Sequence, residues 1–179
     1  MKGIVITQFL EMVEDRHGLE LADKLLSSDG LSTNGGFTSV GTYPHQDAGI
    51  LMTAFGKSQK KDISQVLLEY GKFLFGRFAS NYPNFFHEGQ EFFAFLESVE
   101  TVIHPQVLKL YPDAQLPRFE TEVISDVKMR MVYRSDRRMG PFAHGLIIGC
   151  SDYFDVSVGI QSKDIEEGKK VEFIITKID

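Results

Sequence analysis

Apolar side chains in this chain recur every three or four positions as far as about residue 110, and beyond it segments appear in which they recur at every second position. The first period builds helices and the second builds half-buried strands, so a helical segment must precede a sheet segment. Val5, Phe9, Met12 and Val13 share one helix face, and Leu19, Ala22, Leu25 and Leu26 share another before Asp29-Gly30 ends the pattern. Tyr43-Pro44-His45-Gln46-Asp47 opens a third helix, with proline and acid near its start. Ile63, Leu67, Tyr70, Leu74 and Phe78 then mark one wide apolar face over residues 61–80. A further helix carries Phe92, Phe95, Leu96, Val99, Val102 and Ile103 toward His104, where Pro105 removes a donor and calls for a bend or a fresh start.

Beyond Tyr111-Pro-Asp-Ala the alternation predicts paired strands over Phe119–Val123 and Val127–Tyr133. Met129, Met131 and Tyr133 alternate there with Lys128, Arg130 and Val132. A short helix is expected from Phe142 to Phe154, then a hairpin of Asp155–Ile160 and Val171–Ile178 around a charged turn from Ser162 to Lys170. The fold class is α+β, an N-terminal helical lobe packed on a C-terminal lobe with an antiparallel sheet.

Composition narrows the function. Lys and Arg number 19 against 25 Asp and Glu, a net charge of −6, which argues against the basic face that nucleic-acid binding needs. The single cysteine, Cys150, cannot form an internal disulfide or a thiolate-rich zinc site. The first ten residues lack the pattern of a signal peptide, and no stretch approaches the roughly 18 apolar residues of a membrane span. A cytoplasmic protein, partnered with neither membrane nor nucleic acid, is the expectation. The 15 Phe and 6 Tyr, with no Trp, imply either a generous core or a pocket for something flat and apolar.

Two groups of residues could carry chemistry. His17, His45 and His87 sit in polar surroundings and read as exposed, but His104 lies among Val102, Ile103, Val107 and Leu110. A histidine in that setting is either a hydrogen-bonded core residue or a ligand, and His144 ranks second to it. Tyr133-x-Ser135-x-Arg137 would place two hydroxyls and a guanidinium on one face if the strand continues through it. That set is either a solvated strand end or a clamp for carboxylate or phosphate. Cys150 lies between apolar neighbours and reads as an inert thiol.

Met1-Lys-Gly-Ile, Tyr70-Gly-Lys-Phe-Leu-Phe-Gly-Arg-Phe78, His104-Pro105 with Lys109-Leu-Tyr-Pro112, Leu116-Pro-Arg118 and Tyr133-x-Ser135-x-Arg137 together resemble the haem nitric oxide/oxygen binding (H-NOX) family. The likeness spans essentially the whole chain. It implies a single H-NOX domain over 1–179, with a helical subdomain over about 1–60, a haem-pocket and sheet subdomain over about 61–179, and haem between the lobes. It further implies haem b (iron protoporphyrin IX), with His104 as the proximal iron ligand and Tyr133, Ser135 and Arg137 gripping the propionates. Pro117 matches a proline that presses on the haem, and Val5, Phe9, Leu74, Phe78, Phe142 and Leu146 would line the distal side.

The chain departs from parts of the family at two positions. Oxygen-binding members carry a tyrosine where this chain has Phe142, five residues after Arg137, and Cys150 alone does not supply the cysteine-rich zinc cluster of some bacterial members. The resemblance therefore implies a non-enzymatic gas sensor that binds nitric oxide, and carbon monoxide, at ferrous haem. With no room for an output module, it would signal in trans, as in two-component regulation, to a histidine kinase, diguanylate cyclase or phosphodiesterase. The rival readings are a haem enzyme such as a nitric oxide dioxygenase, and a haem-free regulatory domain holding a lipid or other apolar ligand.

Overall fold

The computed structural model describes residues 1–178. Its chain divides into two units, Met1–Tyr70 and Gly71–Asp179. In the first, α1 (Gly3–His17), α2 (Leu19–Leu26), α3 (His45–Gln59) and the start of α4 (Ile63–Asn81) enclose Ile6, Phe9, Met12, Leu25, Leu51, Met52, Phe55 and Tyr70. Gly18 adopts φ +88°, a left-handed value open to glycine, and lets α2 follow α1 after one residue. His17 is exposed, as expected, but closes the last turn of α1 and does not lie in a loop. Its ring meets Phe55 edge-on, with centroids 5.2 Å apart. The loop ahead of α3 is held by the buried Asp47 carboxylate, which accepts hydrogen bonds from the Ser32 backbone N–H and hydroxyl.

The second unit contains the rest of α4, a 3-10 turn at Pro83–Phe85, α5 (Phe92–Ser98), a π-turn at Val99–Ile103 and α6 (His104–Leu110). These are followed by β1 (Arg118–Ser125), β2 (Lys128–Arg134), α7 (Gly140–Tyr153), β3 (Val158–Asp164) and β4 (Lys170–Lys177). The strands form one antiparallel sheet in the order β1-β2-β4-β3, the α+β architecture expected. Met129, Met131 and Tyr133 of β2 and Val171, Phe173 and Ile175 of β4 join Phe75, Phe92, Phe93, Phe95, Ala143 and Ile147 in one core. Most of the phenylalanine cluster is therefore core, with Phe86 stacked on Phe95 at 4.8 Å between centroids. Arg130 and Arg134 instead pair across strands with Glu172 and Glu120, the alternation that β2 required.

Two expectations about the sheet are corrected. β3 continues through Ser162, Lys163 and Asp164, which pair with Phe173, Glu172 and Val171, so the charged turn is shorter than Ser162–Lys170. An exposed edge strand is held by backbone hydrogen bonds and carries no hydropathy signal there. β2 also stops at Arg134, before Ser135 and Arg137.

Glycines let two helices of this unit approach with backbone against backbone. A β-carbon on Gly71 of α4 would lie 2.2 Å from the Phe142 carbonyl oxygen of α7, and one on Gly149 would lie 2.8 Å from the Lys72 carbonyl oxygen. A β-carbon on Gly76, one and a half turns further along α4, would meet nothing within 4 Å. Gly71→Ala should therefore destabilise the protein by about 1–3 kcal/mol or more, because backbone cannot yield as a side chain can. Gly76→Ala should stabilise it by about 0.5–1 kcal/mol through lost backbone freedom in the unfolded chain. Urea unfolding of both variants checks the contrast, and equal shifts of one sign would contradict it.

Candidate functional site

His104 begins α6 directly after the π-turn, and its own N–H bonds to the Val99 carbonyl five residues back. Pro105 supplies no N–H to the next position, which removes one hydrogen bond that would keep the coil regular. The imidazole is 15% exposed. Its Nδ1 lies within hydrogen-bond distance of Glu100 Oε2, at 3.2 Å, a contact in which an Nδ1–H would donate to the carboxylate, and the same oxygen accepts the Phe119 backbone N–H at 3.1 Å. Burial lowers the His104 pKa below the ordinary histidine value, and the Glu100 carboxylate opposes part of that shift. The ring is thus a neutral imidazole at neutral pH, with Nε2 as its lone-pair nitrogen. A carboxylate stands where a carbonyl or water would have served. Its place four residues before His104 was the one signal in the sequence.

Phe119 also connects His104 to the second group of residues. Its ring centroid lies 5.8 Å from that of His104 and 5.8 Å from that of Tyr133, its cross-strand partner. Tyr133 is buried in β2, and its hydroxyl oxygen accepts the Met139 N–H at 3.0 Å, which leaves the hydroxyl proton to donate elsewhere. The expected shared strand face for Tyr133, Ser135 and Arg137 does not form. The Ser135 N–H donates to the Lys169 carbonyl, and its side-chain oxygen accepts the Arg137 N–H at 3.2 Å. Arg138 then takes φ +56° and closes a turn onto Ser135. A short hydroxyl side chain competes for backbone here and ends the strand. Arg137 donates from Nη1 to the Gln115 carbonyl at 2.8 Å and from Nη2 to Gln115 Oε1 at 3.3 Å, two residues ahead of Pro117. Gln115, like Glu100 and Phe119, was not singled out in the sequence.

The apolar candidates of this unit lie on the two helices that meet at Gly71. Leu74 is buried and Phe78 half-buried on α4, and Phe142 and Leu146 are half-buried one turn apart on α7. Val5 and Phe9 lie on α1 in the first unit. There the Phe9 ring packs edge-on against Phe55 and Tyr70, and the Val5 carbonyl accepts the Tyr70 hydroxyl. His45 and His87 are exposed. His144 is half-buried beside Phe173, and burial lowers its pKa.

Among the described residues, no three His, Cys, Asp or Glu side chains gather as a metal-ion site. A metal at His104 Nε2 would need its other ligands from a group that brings them, as an iron porphyrin does. The donors near Tyr133 suit such a group, since two hydroxyl protons and a guanidinium match carboxylates. A family description, Haem-NO-binding, matches residues 2–162. The chain belongs to this haem-binding family of gas sensors, the H-NOX proteins. It is similar to the H-NOX protein of K. algicida, solved in the Fe(II) unliganded state, at 36% identity over 100% of this chain and 97% of that one, with a TM-score of 0.93. The H-NOX from Shewanella woodyi, solved in solution in the Fe(II)CO state with IWP-051 bound, shares 33% identity over 99% of this chain and 95% of that one, TM-score 0.83. The S. oneidensis H-NOX in its Fe(II)NO state shares the fold at 23% identity, with a TM-score of 0.92 and 100% of each chain covered. No curated protein matches the chain. No helix among the described residues is long and apolar enough to cross a membrane.

The half-buried histidines give this H-NOX chain a pH signature. Both His104 and His144 have folded-state pKa values below the ordinary imidazole value, so the unfolded chain takes up protons first as pH falls. Stability should be full above about pH 7 and decline as pH falls through the ordinary imidazole range near 6.5. Urea midpoints of the haem-free chain from pH 7.5 to 5.5 check this, and His144→Gln should flatten part of the slope.

Proposed function

We propose that this protein is a cytoplasmic, non-enzymatic nitric oxide sensor that holds haem b through His104. The observation that carries the proposal is the half-buried His104 ring, whose Nδ1–H is engaged by Glu100 and whose Nε2 is thereby left as a ligand atom. Cys150 is the only cysteine and is buried, which argues for a haem held without thioether bonds, as in haem b. Haem held there would supply a ferrous iron able to bind diatomic gases.

The chain's own residues hold the haem and select its ligand. Tyr133 and Ser135 would donate hydroxyl protons to the propionates, and Arg137 would add charge with its guanidinium steadied by Gln115. Pro117, just ahead of β1, would press on the haem as a rigid side chain, a role the family resemblance assigns to it. Leu74, Phe78, Phe142 and Leu146 present apolar surface that excludes water and offers no hydrogen-bond donor, and Val5 and Phe9 are assigned to the same task by the family resemblance alone. A distal side without a donor favours nitric oxide and carbon monoxide over oxygen. It also lacks the polar groups that peroxide or dioxygenase chemistry uses, which argues against an enzyme. His104 would be the residue that ties the chain to the iron, and a change at that residue is what the fold would sense. The response is read in trans by a signalling protein such as a histidine kinase or a cyclic di-GMP enzyme, which must bind one of the two states better.

Absorption spectroscopy of the purified protein tests the core of this reading. A Soret band is expected in the wild type, and its absence would favour the haem-free alternative. His104→Gly should hold haem only when imidazole fills the gap. Arg137→Ala should weaken haem binding by roughly ten- to a hundredfold, the loss of one charge-assisted pair of about 1.5–3 kcal/mol. In air the ferrous protein should show no lasting spectral change assignable to oxygen, whereas Phe142→Tyr adds the donor that oxygen requires.

A further inference from the structure

We infer that Glu100 is a positioning residue that holds His104 as its Nδ1–H tautomer and ties the ring to the start of β1 through the Phe119 N–H. The inference rests on the reading of His104 as the iron ligand and goes beyond it, because it names the group that governs that ligand.

An ionised carboxylate can only accept, so a hydrogen bond between Glu100 Oε2 and His104 Nδ1 requires the proton to be on Nδ1. Nε2 is then committed as the lone-pair nitrogen. A carboxylate is also a stronger acceptor than a carbonyl or water. It pulls the Nδ1 proton and makes the opposite nitrogen a better donor to a metal. The backbone prepares this pairing. Glu100 lies in the π-turn of Val99–Ile103 and His104 is the first residue after it, and single π-turns of this kind are frequent at functional positions.

The second bond gives Glu100 a reach that an isolated ring partner would lack. The oxygen that receives His104 also receives the backbone of Phe119, whose ring neighbours those of both His104 and Tyr133. Any turn of the imidazole that breaks the Nδ1 bond therefore perturbs an acceptor shared with the first residues of β1. A state change at the histidine thus reaches the sheet through one oxygen atom.

The test uses Glu100→Gln, which keeps size and an acceptor but loses the charge, and Glu100→Ala, which removes both. In the haem-loaded ferrous protein, the iron–histidine stretching frequency should fall from wild type to Gln to Ala, and the reduction potential should rise in the same order. Haem affinity of the Ala variant should fall about 10- to 100-fold. In the full chain prepared without haem, nitrogen NMR should find His104 as the Nδ1–H tautomer in the wild type and as a tautomer mixture in Glu100→Ala, with faster amide exchange at Phe119. Faster Phe119 exchange with unchanged frequency, potential and tautomer would make Glu100 only a brace for β1 and would overturn the inference. A wild type that takes up no haem would remove His104 as ligand, while the tautomer measurement would still decide whether Glu100 holds the ring.

Discussion

The second unit depends on the backbone contact of α4 with α7. At Gly71 the helices meet so closely that the Phe142 carbonyl occupies the space of a β-carbon, and Gly149 repeats the approach one turn along, against Lys72 and Phe75. Only glycine allows helix backbones this near. The contact places Leu74 and Phe78 on one helix and Phe142 and Leu146 on the other, so the apolar side chains assigned to the haem are carried by the pair that the glycines join. It is reinforced where Lys72 meets Asp152 at 2.7 Å, although that exposed pair adds little to stability.

Around this pair the aromatic residues divide their work. Phe75, Phe92, Phe93 and Phe95 are buried in the core against β2 and β4 and have no surface left for a ligand. Phe78 stays half-buried near Tyr82, with centroids 6.1 Å apart. A run of phenylalanines thus serves two purposes, and the helix face on which each one falls decides which.

The polar side of the site arises from two interruptions of regular structure. The π-turn before His104 and the end of β2 after Arg134 each take residues out of a repeating pattern. The first pairs Glu100 with His104, and the second folds Ser135 and Arg137 into a turn anchored by Lys169 and Gln115. Regular elements hold apolar surface well, because their backbone groups are already satisfied. Where the repeat breaks, side chains take over backbone bonds and acquire fixed directions.

The periodicity of the chain determined the order of helices and strands, and Asp29-Gly30 and Pro105 marked breaks that the structure contains, whereas the break at Gly18 did not show in the pattern. His104 and Tyr133-x-Ser135-x-Arg137 stood out in the sequence because their residue types and context suited a ligand and a carboxylate clamp, and the fold links them through Phe119. Other features had no local signal. The strand pairing of Ser162–Asp164 and the turn that removes Ser135 from β2 were decided by backbone partners distant in sequence, which a pattern of side chains does not record. Glu100 is one of 25 acidic residues, marked in the sequence only by its place four residues before His104. Its role was decided by tertiary structure, because Phe119 lies 19 residues away and reaches the same oxygen only when β1 runs beside the π-turn.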